Sequence, residues 1–483
     1  MKIRMNVLLI QPPHEYEGKD RDQVFFPIGL GYIARVLLDE GHYVEVLDLH
    51  AVRMPLDQVL DVIRNNSFDV LGISAMSTQY NYVRRLAGAI KEIDNSIKII
   101  LGWVLSTYSY ESILEHTEVD ICVIGEGEVT IKELLKNLDN YKSIDGIAFK
   151  KDGVVIKNKD RQYIQDLDTL PLPPYHLFPM EIYINNLNVI GAGEKLRTIN
   201  ISIGRGCPYN CNFCSKSFSG FRLRSVDSVI KEIEYLKDNY AIEGMAFADE
   251  CLVIRRDRVL ELCEKISAMR VVWNCQGRVN LVDEKLLCKM KSAGCTAIGY
   301  GIESGSQKIL NAMNKKITTD QAKSAILATR KAGLYPVIQM MFGYPGEDEE
   351  TIRETIRFFQ EIDHPGCEFS PTTPLPGSAL WLYSLDTGFI KGEKEFLEKL
   401  EGGYMPDAPV LVNYTDFSTA QLRTIRENME RRIRRNYIRR HPLHTLREYA
   451  NRLLFNLRTY GTVTTLNKIL GKLGRRPRIA AEQ

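Results

Sequence analysis

Apolar and polar positions follow two rhythms along the first third of the chain. Asn6 to Ile10 (NVLLI) is a short apolar run that stops at Gln11-Pro12-Pro13, which predicts a buried strand ending in a loop. Gly29 to Glu40 carries apolar residues at helical spacing and is closed by Gly41. YVEVLDLH reads as a second strand, ending at Asp48 to His50. The cycle then repeats. A helix near Leu56 to Asn65 precedes strand DVLGISA, and a helix near Tyr82 to Ile93 precedes strand KIILG. A short helix and strand DICVIGE complete the series. Such alternation predicts an α/β domain, a doubly wound, Rossmann-like parallel sheet with helices on both faces. Ligands of these sheets sit at the carboxyl ends of the strands. Here those ends are the loops Gln11 to Gly18, Asp48 to His50, Ser74 to Asn81, Gly102 to Thr107 and Gly125 to Thr130. None carries a GxGxxG or GxxxxGK[ST] phosphate loop, so the pattern alone implies only a bulky ligand at the sheet edge.

Asp166 to Pro179 (DLDTLPLPPYHLFP) contains four prolines and cannot be regular helix or central strand. It reads as a strap between domains, either a plain linker or a segment packed along the first domain's ligand. A second alternation follows. TINISIG, GMAFADE, VVWNCQGR, TAIGYGIES, PVIQMMFGYP and CEFSPTTP are strand-like. Helical stretches near Val226 to Tyr240, Arg258 to Met269, Glu284 to Ala293, Asp320 to Ala332 and Glu350 to Ile362 separate them, giving six βα-type units. Beyond about Leu380 the alternation stops. Glu393 to Leu400 and Thr419 to Asn436 are helical in pattern, and ERRIRRNYIRRHPLHTLRE is densely basic. That run reads as a solvated helix capping the second domain, with nucleic-acid or membrane-surface contact as the other readings.

Composition narrows the class. The chain has 483 residues, 44% hydrophobic and 26% charged, which suits roughly three folded domains rather than disorder. Sixty-three basic and 61 acidic residues leave a formal charge of +2, too balanced for a protein held to nucleic acid by bulk charge. No signal-peptide pattern and no membrane-length apolar run occurs, so a cytoplasmic protein without a membrane span is expected. Of 10 cysteines, most fall in core-like segments, as in a reducing compartment.

Three cysteines differ from the rest. Cys207, Cys211 and Cys214 lie in RGCPYNCNFCS with CxxxCxxC spacing, directly after strand TINISIG. A structural zinc site normally takes four ligands, often as two separated pairs. Here three thiols share one tight loop, and no His or Cys close in sequence completes a zinc set. Three thiolates on a four-iron cluster leave one iron open for a further ligand, which is the chemistry this spacing serves.

CPYNCNFC, between a strand and a helix, resembles the signature of the radical S-adenosylmethionine (SAM) superfamily. The resemblance implies a [4Fe–4S] cluster on Cys207, Cys211 and Cys214, SAM on the open iron, and a partial (β/α)₆ barrel of the TIM type built from the six units. It also implies roles for strand-end residues. Phe213 would back the adenine. Phe247, Asp249 and Glu250, from FADE, would meet the SAM amino group. Arg278 would meet the SAM carboxylate, Glu303 in GIESGS would make a polar SAM contact, and Gly343 and Tyr344 in GYPG would lie near the adenine.

The first domain, with FFPIGLGYIARVLLDEGHYVEVLD, DVLGIS, VDICVIGEGE and DLDTLPLPP, resembles the cobalamin-binding branch of that superfamily over roughly residues 5 to 380. The implied division is a cobalamin-binding domain over 1–150, a linker over 151–195, a radical SAM core over 196–380 and a helical region over 381–483. By the same resemblance, Pro12, Pro13, Ser74, Met76, Ser77, Thr78, Gln79, Gly102, Trp103, Gly125, Glu126, Gly127 and Glu128 would line the cobalamin. The loop Met76 to Asn81 would lie under the corrin. Two departures stand out. No DxHxxG is present, so base-off cobalamin without a histidine ligand is expected, although His14 and His50 occur near strand ends. The fourth strand ends in GWVLST, with Trp103 where the family usually has a small residue. The resemblance implies a methyltransferase acting on an unactivated carbon of a peptide or protein, natural product or lipid. The alternatives are cyclisation, rearrangement or dehydration without methyl transfer. Its partners would be the substrate and an electron donor such as ferredoxin or flavodoxin.

Overall fold

The computed structural model describes residues 4–14, 24–192, 195–216, 218, 220–403, 406, 408–447, 450, 453, 454 and 457. The second half of the loop Gln11 to Gly18 lies outside the described residues. The first sheet contains β1 (Asn6–Gln11), β2 (Tyr43–Asp48), β3 (Val70–Ser74), β4 (Lys98–Gly102), β5 (Ile121–Val123), β6 (Ile147–Lys151) and β7 (Val154–Lys157). Their spatial order is β2-β1-β3-β4-β5-β6-β7. β1 to β5 are parallel, while β6 and β7 run antiparallel. The order reverses between β1 and β3, which opens a crevice at their carboxyl ends. Val7 to Ile10 are all buried, as a strand covered by helices on both faces requires.

The second domain begins with β8 (Thr198–Ile201). A short antiparallel pair follows, β9 (Gly204–Arg205) with β10 (Arg222–Leu223). Then come β11 (Gly244–Phe247), β12 (Val272–Gly277), β13 (Cys295–Glu303), β14 (Tyr335–Phe342) and β15 (Phe369–Pro371). β8 and β11 to β15 form one wholly parallel sheet in strict chain order, the topology of a partial (β/α)₆ barrel. Polar caps start several of its helices. Asp283 accepts from Leu286 N–H, and Thr318 and Gln321 form a reciprocal capping box.

The two domains are clasped at Phe26. Asn200 on β8 accepts the Phe26 N–H at 2.7 Å and donates to its carbonyl at 2.9 Å. The Phe26 ring packs against Tyr175 and Phe178 of the proline strap and against Tyr183. The strap is therefore ordered core rather than loose tether.

Two features depart from the pattern-based expectation. The helix read as short after KIILG spans Trp103–His116, with a kink at Ser109. The first sheet is mixed, because the β6–β7 hairpin carries it past residue 150 to Lys157. Its turn, Asp152-Gly153, has φ of +50° and +81°, the left-handed pair that Asp-Gly hairpins adopt. At the C-terminal end, the helix Thr419–Arg440 runs through the basic segment and buries only Leu422, Met429 and Ile433. No helix among the described residues is long and apolar enough to cross a membrane.

Candidate functional site

The cysteine loop hangs from β9 and β10 at the carboxyl end of the barrel. Gly206 opens it with φ +80°, and a Cβ there would collide with the Gly220 carbonyl. Its far side is tied to a neighbouring turn. Asn212 N–H donates to Met313 O, its amide to Ala312 O, and Asn314 donates to Asn210 O, at 2.9, 2.9 and 2.6 Å. Cys207, Cys211 and Cys214 are half-buried and form no disulfide. Among the described residues, no three His, Cys, Asp or Glu side chains close on a single ion's radius. Burial, the Glu250 carboxylate and the other two thiols push Cys214 up to about 12, and burial also raises Cys207. Three crowded thiols of this kind suit a multinuclear cation that takes them all as thiolates.

Charged side chains surround the loop. Arg278 stacks over the Tyr209 ring at 3.7 Å and directs Nη1 to Cys211 Sγ at 4.0 Å. Its Nη2 donates to the Lys315 carbonyl, and its buried Nε–H has no hydrogen-bond partner. Glu303 pairs with Lys315 Nζ at 2.8 Å, both nearly buried. Lys315 Nζ lies 5.3 Å from the centroid of the Phe213 ring. Gly301 leaves room for this pair, since a Cβ would strike the Glu303 carboxylate. Phe213, Arg278 and Glu303 thus come together around the cysteines, joined by Tyr209 and Lys315. Lys315 sits in NKKIT, which carries no recognisable motif, so only the fold brings it forward.

The other strand-end residues serve differently. Phe247 is barrel core, 3% exposed and edge-on to Trp273 at 5.5 Å, so its ring is engaged in packing. The Asp249 carboxylate is occupied by backbone, accepting from Gly204 N–H at 2.7 Å and Ile203 N–H at 3.1 Å. It braces the entry to the cysteine loop, and burial raises it to about 6 despite those donors. Glu250 is exposed and faces the cavity described below. Gly343, at φ +77°, donates its N–H to Glu347, a buried carboxyl raised to about 7. Tyr344 is buried, with its hydroxyl 3.4 Å from the Ala312 carbonyl, so it backs the turn that holds the cysteine loop.

A cavity of about 800 Å³ lies between the two domains. Ser74, Met76, Gly102, Trp103 and Gly125 to Glu128 line it from the first sheet's carboxyl edge. Gly204 to Gly206, Asp249 and Glu250 line it from the barrel, and Leu167 and Leu170 of the strap close one side. It continues down the sheet face as an apolar slot past Leu9, Val70 and Ile100, opposite Ile33, Leu37 and Ile131. Gly102 and Gly29 present bare backbone to this space: a Cβ on Gly29 would meet nothing within 4 Å, and one on Gly102 only a carbonyl at 3.9 Å.

Several expected rim residues are supports instead. Gln79 donates to the carbonyls of Pro12 and Pro13 at 2.7 and 3.3 Å and accepts Met76 N–H at 2.8 Å. Gln79 thus ties Pro12 and Pro13 to the rim from behind, and Pro12, Pro13, Ser77, Thr78 and Gln79 do not line the cavity. Glu126 and Glu128 border the cavity, but their carboxylates are bound across the domain boundary. Arg205 pairs with both, at 2.7 and 2.5 Å, and Arg222 pairs with Glu126 at 2.9 Å. Two residues without the expected spacing do line the cavity. His14 and His50 stand with ring centroids 4.7 Å apart, and His14 N–H donates to His50 Nδ1 at 3.4 Å.

Known proteins match this arrangement. The family model of the radical SAM superfamily matches residues 201–359, and that of the B12 binding domain matches residues 19–135. An uncharacterized methyltransferase of Pyrococcus horikoshii is 32% identical over 81% of this chain and 85% of its own length. The anaerobic magnesium-protoporphyrin IX monomethyl ester cyclase of Rubrivivax gelatinosus is 29% identical over 78% of this chain and 69% of its own. The radical S-adenosylmethionine methyltransferase TsrM from Kitasatospora setae, solved with cobalamin and a [4Fe-4S] cluster bound, shares the fold. Its TM-score is 0.66 at 18% identity, covering 80% of this chain and 78% of that one.

Proposed function

We propose that this chain, which belongs to the radical SAM superfamily and carries a B12-binding domain before its barrel, is a cobalamin-dependent methyltransferase. Its acceptor would be an unactivated carbon of a peptide or protein, a natural product or a lipid. One observation carries the reading: a single cavity is walled on one side by the B12-binding sheet edge and on the other by residues flanking the cysteine loop. Two donors bound at those walls would face one substrate carbon with water excluded.

The residues fit both groups. Three thiols on one loop match a site-differentiated cluster, and the partnerless Arg278 Nε–H matches a ligand carboxylate. The deep apolar slot and the bare glycines match a large flat ligand with a tail. When bound, the cluster with SAM supplies a hydrogen-abstracting carbon radical, and cobalamin supplies a transferable methyl group. The chain's own side chains do the rest. Cys207, Cys211 and Cys214 hold the cluster. Arg278 and the Glu303–Lys315 pair orient the charged end of SAM, and Phe213 offers a ring face beside them. Asp249 keeps the loop entry fixed through three backbone contacts. The reducing electron would come from a small protein such as ferredoxin or flavodoxin.

A second reading, radical cyclisation without methyl transfer, is favoured by the 29% identity to a cyclase. The anaerobically reduced protein, given SAM and candidate acceptors, separates the two. A methyltransferase forms S-adenosylhomocysteine together with 5′-deoxyadenosine, and its product carries a methyl in place of a hydrogen, a net gain of CH2. 5′-Deoxyadenosine alone, with no methyl gain, would favour the cyclase.

A further inference from the structure

Among the described residues, nine other than glycine have positive φ. Seven of them lie between +49° and +55°, in the ordinary left-handed well. Only Trp103 and Glu303 reach +74°. Glu303 is accounted for by its ion pair beside the cysteine loop. Trp103 is not, and a bulky aromatic is among the least suited residues for this conformation. Strain of this sort persists where the surroundings over-determine it, and here they do. The Thr107 hydroxyl donates to the Trp103 carbonyl at 2.9 Å and accepts Gly125 N–H at 3.1 Å. Ala75 N–H donates to the Gly102 carbonyl at 3.3 Å, and Leu105 N–H to the Ala75 carbonyl at 3.1 Å. The segment after β4 is thus stitched to the loops after β3 and β5.

A glycine at 103 would satisfy this backbone without strain. What glycine lacks is the indole, and the indole is 37% exposed on the cavity wall, whereas Trp273 and Trp381 are buried. Ile100 and Gly102, two apart on β4, share the face along which the slot runs. Trp103 stands at the head of that slot. The slot is apolar and lies between the sheet and the helix Ile28–Asp39, a lining that suits an aromatic group.

We propose that Trp103 is a specificity-determining residue whose indole packs on the aromatic base of a corrinoid's nucleotide tail, so that the cavity selects base-bearing corrinoids. This rests on the cobalamin reading above.

The test uses the full chain, freed of corrinoid and titrated anaerobically with hydroxocobalamin and with cobinamide, which lacks the nucleotide and base. For W103A and W103G we expect cobalamin affinity to fall about tenfold, the scale of one aromatic contact, with cobinamide affinity unchanged. W103F should retain most of the preference. W103G should also melt no lower than W103A, since only glycine relieves the backbone. Equal loss for both corrinoids, or no loss for either, overturns the proposal while leaving the cobalamin reading intact. A W103G that melts below W103A removes the strain on which it rests. A wild-type chain that binds neither corrinoid overturns both.

Discussion

The two strand-end regions that face the shared cavity solve different problems with the same kind of scaffold. The barrel edge is rich in charge and sulfur: three thiols, the partly unsatisfied Arg278 and a nearly buried Glu303–Lys315 pair. The first sheet's edge is largely apolar, and several of the polar groups on it are held by other parts of the protein. Gln79 holds backbone, while Glu126 and Glu128 hold arginines of the other domain. One region is built to ligate and orient, the other to accept a shape. Both rely on one strained residue at a strand end, Glu303 in the first case and Trp103 in the second. The difference teaches that ligating chemistry is written in residue types at fixed spacing, whereas a shape is written in what packs behind the surface.

The comparison can be broken most directly at the cysteines. Cys211→Ala should abolish cluster binding and 5′-deoxyadenosine formation while leaving corrinoid binding at wild-type level. Iron, sulfide and corrinoid assays on one preparation check this, and joint loss of corrinoid would show that the two regions are not separable. Glu126→Ala should cost about 3–5 kcal/mol, because it strips a buried partner from two arginines, with side chains only 3 to 11% exposed. Denaturant unfolding measures it, and a near-neutral result would mean that the domain contact does not depend on this network. Lys315→Met should weaken SAM binding about tenfold by leaving Glu303 without its cation. Equilibrium binding of SAM to the reconstituted protein checks this, with no change expected in corrinoid affinity.

The smallest expected effect is a pH slope. Burial raises Glu347 from its ordinary 4.5 to about 7. The folded state therefore keeps a proton that the unfolded state releases between those values. The stabilisation is full below about pH 4.5 and is lost as pH rises through 7. Glu347→Gln should flatten the fall in stability across that window, measured as the unfolding midpoint at several pH values. An unchanged slope would remove Glu347 as its source.

Much of the fold and of the cluster site is legible in the sequence. The helices at Val226–Tyr240 and Leu56–Asn65 end where the apolar periodicity ends, and CPYNCNFC falls, as its position after a strand implies, in a loop between β9 and β10. The hairpin escapes the pattern because Asp152-Gly153 lies beyond the last βα repeat, where its turn signal has no context. The partners of Asp249, Glu126 and Glu128 stay hidden for a different reason. A carboxylate at a strand end looks the same in sequence whether it meets a ligand, a backbone amide or an arginine 79 residues away. The packing of Phe247 on Trp273 is hidden likewise, since strand alternation does not say which side of the barrel wall a side chain joins. Lys315 and Tyr209 gain their importance only from the turn that brings residues 312 to 315 against the cysteine loop.

The central claim is that two cofactors meet at one cavity. The most direct measurement is the joint quantification of iron, sulfide and corrinoid in protein purified without oxygen from cobalamin-fed cells. The account predicts about four irons and one corrinoid per chain. A complete cluster with no corrinoid, even after reconstitution, would contradict it and leave a radical enzyme whose first domain serves another purpose.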